Sequence, residues 1–261
     1  MQKSNVKKTP YTARTPDNSG FIHWNDDEHL RWSRLCARQL SLLSNRACKE
    51  YMRGLDLLSM SMNHIPQLQD VDRVLQQTTG WQTAAVASLI NFTEFFTLLS
   101  NKQFPVATFI RRESDFDYLQ EPDIFHELFG HCPLLTNPSF AHFTHMYGKL
   151  GLAANKEERE FLARLYWFTV EFGLIQTDDG LRIYGGGILS SPNETIYAVE
   201  STIPKRKAAE LIEMLRTPYK IDQIQTTYFV ISSFEQLYKM ANSDLMSLVD
   251  EARDKGVRVL D

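Results

Sequence analysis

Two histidines five residues apart, His126 and His131, sit in the stretch Glu121-Pro122-Asp123-Ile124-Phe125-His126-Glu127-Leu128-Phe129-Gly130-His131-Cys132-Pro133. Forty residues after the second comes Glu171, inside Tyr166-Trp167-Phe168-Thr169-Val170-Glu171-Phe172-Gly173. On an ideal α-helix, at about 100° per residue, positions i and i+5 stand roughly 140° apart. Both rings can reach one partner only if the helix ends or distorts near the second histidine, and Gly130 and Pro133 supply an ending. The run is one residue longer than the H-E-x-x-H helix of zinc proteases. Glu171 is embedded among apolar and aromatic residues, where an unpaired carboxylate is costly, which argues for a cation beside it. Two imidazoles and one carboxylate are the ligand set that holds non-haem Fe(II) on one face and leaves positions open. The plainer alternative is a pair of hydrogen-bonded core histidines; the acids Glu121, Asp123, Glu127 and Glu171 around them favour the metal.

The remaining bounds are broad. With 261 residues, 43% of them hydrophobic, the chain can bury one large core, and no low-complexity boundary divides it. Net charge is -4 without a long run of like charge, so nucleic acid and anionic membrane are not expected as partners. No apolar run reaches the roughly 18 residues of a membrane span. The N-terminus has no apolar secretory core. Three cysteines, Cys36, Cys48 and Cys132, suit reduced thiols in a cytoplasm better than a disulfide framework. Cys132 adjoins His131 but reads as an inert buried thiol rather than a ligand.

Along the chain, residues 1–24 read as an extended or mobile arm and 25–261 as one domain. Helices are expected from Asp26 to Leu43, with its acids at the positive end of the dipole, from Ala47 to Ser59 and from Leu68 to Gln77. The apolar run Ala84 to Phe96 contains a helix start at Asn91, and Phe104 to Arg111 reads as a strand. Phe140 to Met146 is helical; His142 and His145 on it lack a nearby acid and read as surface or satisfied core. Asn155 caps a helix through Phe172 with Glu171 facing inward. Tyr184 to Ser191 reads as a glycine-rich strand and turn, Ile203 to Arg216 as a helix, Tyr228 to Ile231 as a strand and Ser233 to Ala252 as a last helix.

The segments Glu121 to Glu127, Gly130-His131 and Tyr166 to Leu174 resemble the pterin-dependent aromatic amino acid hydroxylases, most of all the bacterial members that hydroxylate phenylalanine. Asn63-His64-Ile65-Pro66-Gln67-Leu68, Phe109-Ile110-Arg111 and Tyr184 to Ser191 extend the likeness, which runs from about Trp32 to about Phe234. It implies an α+β, predominantly helical single catalytic domain with a few short strands. It also implies a phenylalanine 4-monooxygenase reaction using O2, Fe(II) and a tetrahydropterin. The N-terminal regulatory domain and C-terminal tetramerising coiled coil of eukaryotic relatives have no room, so a monomer or small homo-oligomer is expected. Sibling tyrosine or tryptophan hydroxylation is the nearest alternative, and a zinc hydrolase with Glu127 as base a more distant one.

Residue by residue, the resemblance makes His126, His131 and Glu171 the metal ligands. It places the pterin against Phe95, Leu89, Ile90, Glu127, Ala163 and Tyr166. It assigns Arg111 to the substrate carboxylate, with Asp123 orienting it and Ser190 joining the network, and Pro122, Trp167 and Ile221 as pocket walls. Two positions depart from the animal enzymes: Pro105 replaces a histidine near the cofactor and Leu119 a threonine near the substrate carboxylate. Ile221 falls where tyrosine hydroxylases tend to carry an acid, which favours phenylalanine.

Overall fold

The computed structural model describes residues 11–117, 119 and 121–258. The first ten residues of the expected arm and the last three of the expected domain lie outside the described residues. From Tyr11 to the first helix the chain has no regular secondary structure, yet it is packed. Ile22 is fully buried, Tyr11 stacks on Phe109 at 4.6 Å, and the Arg14 backbone N–H donates to the Thr108 carbonyl at 2.7 Å.

Helix α1, Asp26–Leu43, begins where the acids are. Asn25 accepts from the Glu28 N–H at 2.9 Å and Glu28 returns a bond to the Asn25 N–H at 2.8 Å, a reciprocal cap that satisfies two otherwise orphaned donors. Helices α2, Lys49–Leu58, and α3, Leu68–Thr78, follow. The apolar run after Gly80 divides into strand β1, Gln82–Val86, and helix α4, Phe92–Ser100, because Asn91 caps the helix by accepting from the Glu94 N–H. Strand β2, Gln103–Ala107, pairs parallel with β1 and stops short of Arg111. A π-helical turn, His126–His131, runs into the short α5, Cys132–Leu135. Helix α6, Pro138–Ala153, crosses the core against α4. A Cβ at Gly151 would stand 2.1 Å from the Phe96 ring, so only glycine permits that approach. Helix α7, Lys156–Tyr166, capped by Asn155, continues into a second π turn, Trp167–Glu171.

Strands β3, Leu174–Thr177, and β4, Gly180–Ile183, form a hairpin. The glycine-rich segment then departs from the expected strand: Gly186–Leu189 is a single helical turn, α8, followed by α9, Pro192–Glu200. The expected helix over Ile203 to Arg216 is strand β5, Lys205–Ala208, and a short α10, Leu211–Arg216. Parallel pairing with β6, Thr227–Ile231, overrides local helix preference there, in a stretch whose charged Lys-Arg-Lys offers no apolar helical stripe. The four-stranded sheet has the order β4-β3-β6-β5. The expected last helix is two, α11, Phe234–Ala241, and α12, Leu245–Lys255. Asn242-Ser243-Asp244 breaks it, and Asp244 caps α12 by accepting from the Ser247 N–H at 3.1 Å. The result is an α+β fold, predominantly helical, with short strands at the edges of one apolar core. No described helix is long and apolar enough to cross a membrane. Cys36, Cys48 and Cys132 are buried free thiols, and burial pushes Cys48 up to about 12.

Candidate metal centre and active-site cavity

The helix carrying the two histidines does not end at the second one. It widens: the Cys132 N–H bonds the Glu127 carbonyl, five residues back. An i→i−5 turn brings positions five apart nearly into register, which an α-helix cannot do. Gly130 and Pro133 therefore do not terminate the helix; Pro133 sits in the first turn of α5, where its missing N–H costs nothing. Glu171 closes a second turn of the same kind, in which the Phe172 N–H bonds the Trp167 carbonyl at 2.8 Å.

The two π turns face each other. His126 Nε2 lies 3.1 Å from His131 Nε2 and 3.6 Å from Glu171 Oε2, and His131 Nε2 lies 3.3 Å from Glu171 Oε1. Ligands about 2.1 Å from one ion and roughly at right angles stand about 3 Å apart, so these gaps fit a cation at their centre. Among the described residues this is the single group of three or more ligand-type side chains so gathered. Cys132 is not in it; burial, with Glu127 nearby, pushes its thiol well above the usual range. His142 and His145 do not form a second site: His142 Nε2 meets Asn242 Oδ1 at 3.3 Å and His145 Nε2 meets the Ser100 carbonyl at 3.1 Å.

The surroundings set protonation states. The Ser190 hydroxyl donates to the Gly186 carbonyl at 2.9 Å, so at 2.8 Å from His126 Nδ1 it accepts. That leaves the proton on Nδ1 and the lone pair on Nε2, facing the centre. Burial pushes His126 down to about 4, against the pull of Glu171, so it stays neutral. The His131 ring is held by packing instead: Phe104 is 5.2 Å away, and a Cβ at Gly186 would stand 2.4 Å from its Cε1. Burial pushes the Glu171 carboxyl up, but His131 and His126 more than reverse this and hold it below the usual range. Glu127 is the opposite case: burial, then the charges of Glu171 and Asp123, hold its carboxyl well above the usual range.

A cavity of about 580 Å³ opens on the centre, lined by His126 and Glu171. Phe95, Leu89, Ile90, Glu127, Ala163 and Tyr166 line it, as do Arg111, Pro122, Trp167, Ser190 and Ile221. Pro105 and Leu119 also face it. Asp123 does not; it is fully buried behind Arg111. Its Oδ2 accepts from the Arg111 backbone N–H and from Nε, each at 2.9 Å. Its Oδ1 accepts from Arg111 Nη2 at 2.8 Å and from the His126 backbone N–H at 3.0 Å. One carboxylate thus ties the guanidinium to the metal-side turn. Burial raises the Asp123 pKa, and Arg111 more than offsets it, so the group stays ionised. Ser190 sits on the histidine network rather than on the Arg111–Asp123 pair.

Several wall residues carry no mark in the sequence. Tyr147 of α6 and Tyr219 of the loop before β6 line the cavity, and Trp167 stacks on Phe172 at 4.5 Å and on Tyr219 at 4.4 Å. Tyr219 comes from a segment without periodicity, so no local signal singles it out.

Fold and centre together define a non-haem metal monooxygenase of the two-histidine, one-carboxylate class. A family model described as biopterin-dependent aromatic amino acid hydroxylase matches residues 2–248. The chain is 57% identical over 252 residues to the phenylalanine-4-hydroxylase of Pseudomonas aeruginosa, covering 97% of this chain and 96% of that one. The apo structure of the cold-active phenylalanine hydroxylase from Colwellia psychrerythraea superposes with a TM-score of 0.93 at 52% identity, covering 95% and 96% of the two chains. The Chromobacterium violaceum phenylalanine hydroxylase with bound oxidised Fe(III) superposes at 0.89 with 43% identity over 94% and 89%. The chain belongs to the biopterin-dependent aromatic amino acid hydroxylases.

Proposed function

We propose that the chain is a phenylalanine 4-monooxygenase, converting L-phenylalanine to L-tyrosine with O2, Fe(II) and a tetrahydropterin. The observation that carries this is the convergence of His126, His131 and Glu171 at one point, with His126 and Glu171 on the wall of the same cavity that Arg111 lines. Iron and tetrahydropterin together supply the activated oxygen atom, which no side chain can.

The chain's own groups do the rest. His126 and His131 offer their Nε2 atoms as ligands, and the one charge of Glu171 completes the set. The Arg111 fork uses its Nε/Nη2 edge on Asp123 and turns the remaining edge to a substrate carboxylate, a planar match for two hydrogen bonds. Because Asp123 also holds the His126 N–H, the clamp and the metal turn keep a fixed spacing. Pro122, Trp167 and Ile221 wall the aromatic ring, and none of them offers a partner to a phenol hydroxyl. Phe95 gives the pterin a stacking face. Glu127 faces the pterin from the same wall, and the run His126 to His131 is one residue longer than a zinc-protease helix. That argues against the zinc-hydrolase reading.

On this reading residues 25–261 are the catalytic domain and 1–24 an N-terminal arm, of which the described residues 11–24 pack against the domain. The enzyme works in the cytoplasm, as a monomer or small homo-oligomer, without membrane or nucleic acid. The test is tyrosine formation from phenylalanine, dependent on Fe(II), O2 and tetrahydropterin; no tyrosine in a fully reconstituted mixture refutes it.

A further inference from the structure

We propose that Gln225 is a positioning residue that sets the width of the amino acid pocket by tying the Trp167 wall to the loop of residues 219–224. The inference rests on the reading of the cavity given above, and it names what fixes the cavity's selectivity.

Gln225 is 5% exposed and does not itself line the cavity. Every polar atom of its amide is in use. Oε1 accepts from the Trp167 indole Nε1–H at 2.9 Å. Nε2 donates to the Lys220 carbonyl and to the Gln223 carbonyl, each at 2.9 Å. Its backbone N–H donates to Glu194 Oε1 at 3.1 Å, and the Tyr228 hydroxyl donates to the same oxygen. So the Gln225 amide joins a residue of the metal-bearing π turn to the loop, and its backbone N–H adds α9.

The loop needs such a tie. Residues 217–226 have no regular secondary structure, yet Tyr219, Ile221, Asp222, Gln223 and Ile224 all face the cavity. Tyr219 lies flat on Trp167 at 16° between planes, so a shift of either moves the other. The amide closes the loop through two carbonyls and anchors it to the indole with the same group. Only an amide of this length supplies one acceptor and two donors here; a carboxylate would lose both donors and a thioether all three contacts. The distance between Trp167 and Ile221, which decides whether a benzene or an indole ring enters, is thereby set from behind the wall.

The test is Gln225→Met, of similar length but without these hydrogen bonds. We expect the phenylalanine KM to rise about tenfold, the effect of losing buried hydrogen bonds, with pterin KM changed by less than about twofold. The ratio of kcat/KM for tryptophan to that for phenylalanine should rise about tenfold as the gap relaxes. Gln225→Glu keeps the acceptor for the indole N–H and loses both donors to the loop, and should move the ratio in the same direction. Calorimetric binding of the two amino acids to the iron-loaded protein, without pterin, reads the same ratio without turnover. Absence of tyrosine formation by the wild type counts against the proposed reaction and leaves this binding ratio to be read. An unchanged ratio in folded, iron-loaded Gln225→Met, or equal changes in both KM values, overturns the role of Gln225. If Gln225→Met does not fold, Gln225→Glu carries the test, and an unshifted ratio there overturns it.

Discussion

Replacing Asp123 by Asn changes one atom type and should cost more than its size suggests. The two Asp123 oxygens accept four hydrogen bonds, two each, from Arg111 and the His126 backbone. Whichever way an Asn amide turns, its NH2 faces two donors. The Arg111 charge, 5% exposed, then lacks its counter-ion. Breaking a buried pair from one side costs about 3–5 kcal/mol, because an uncompensated charge remains. At about 2–4 °C per kcal/mol for a domain of this size, Tm should fall by about 6 to 20 °C. Scanning calorimetry of apo protein measures it, and the phenylalanine KM should rise in the same variant. The double variant Arg111→Met, Asp123→Asn removes the stranded charge, so it should regain much of the stability but none of the phenylalanine affinity. A Tm within about 2 °C of wild type in Asp123→Asn, with unchanged KM, would refute the reasoning.

Three further outcomes follow from the same geometry. Ser190→Ala removes the acceptor that fixes the His126 tautomer, so iron affinity should fall about 10- to 100-fold while the fold is retained; competition with a chelator checks this. Arg111→Lys keeps the charge but loses the planar fork, and should raise the phenylalanine KM far more than the pterin KM; equal effects would remove Arg111 from the substrate site. His29 accepts from the Ile65 N–H through Nδ1 at 3.1 Å, and burial, with His64, holds its pKa below the ordinary value. A folded-state pKa below the unfolded one means stability is present above about pH 6.5 and is lost as pH falls below it. The Tm advantage of wild type over His29→Phe should therefore shrink between pH 7.5 and 5, and a flat or growing difference would contradict it.

Much of this was legible in the sequence, for identifiable reasons. The acids opening at Asp26 and the Asn155 cap begin amphipathic runs, so α1 and α7 could be placed from local chemistry. The need for a distortion at the i, i+5 histidines was readable too; that it is a widening rather than an ending depends on β2 and α8 packing on both sides of His131. Strand β5 was not readable, because its pairing partner lies some twenty residues on and its own residues carry no alternation. Gln225 and Tyr219 were not readable either. Their roles come from long-range contacts with Trp167, 58 and 52 residues away in sequence, and no local pattern marks them.

The central claim is that two π turns deliver His126, His131 and Glu171 to one iron. It is tested most directly by iron content per chain after anaerobic reconstitution with Fe(II) and gel filtration, wild type against His131→Ala. The account predicts one iron per chain in the wild type and almost none in the variant, with tyrosine formation lost alongside. A folded His131→Ala that keeps full iron and turns over phenylalanine would contradict it.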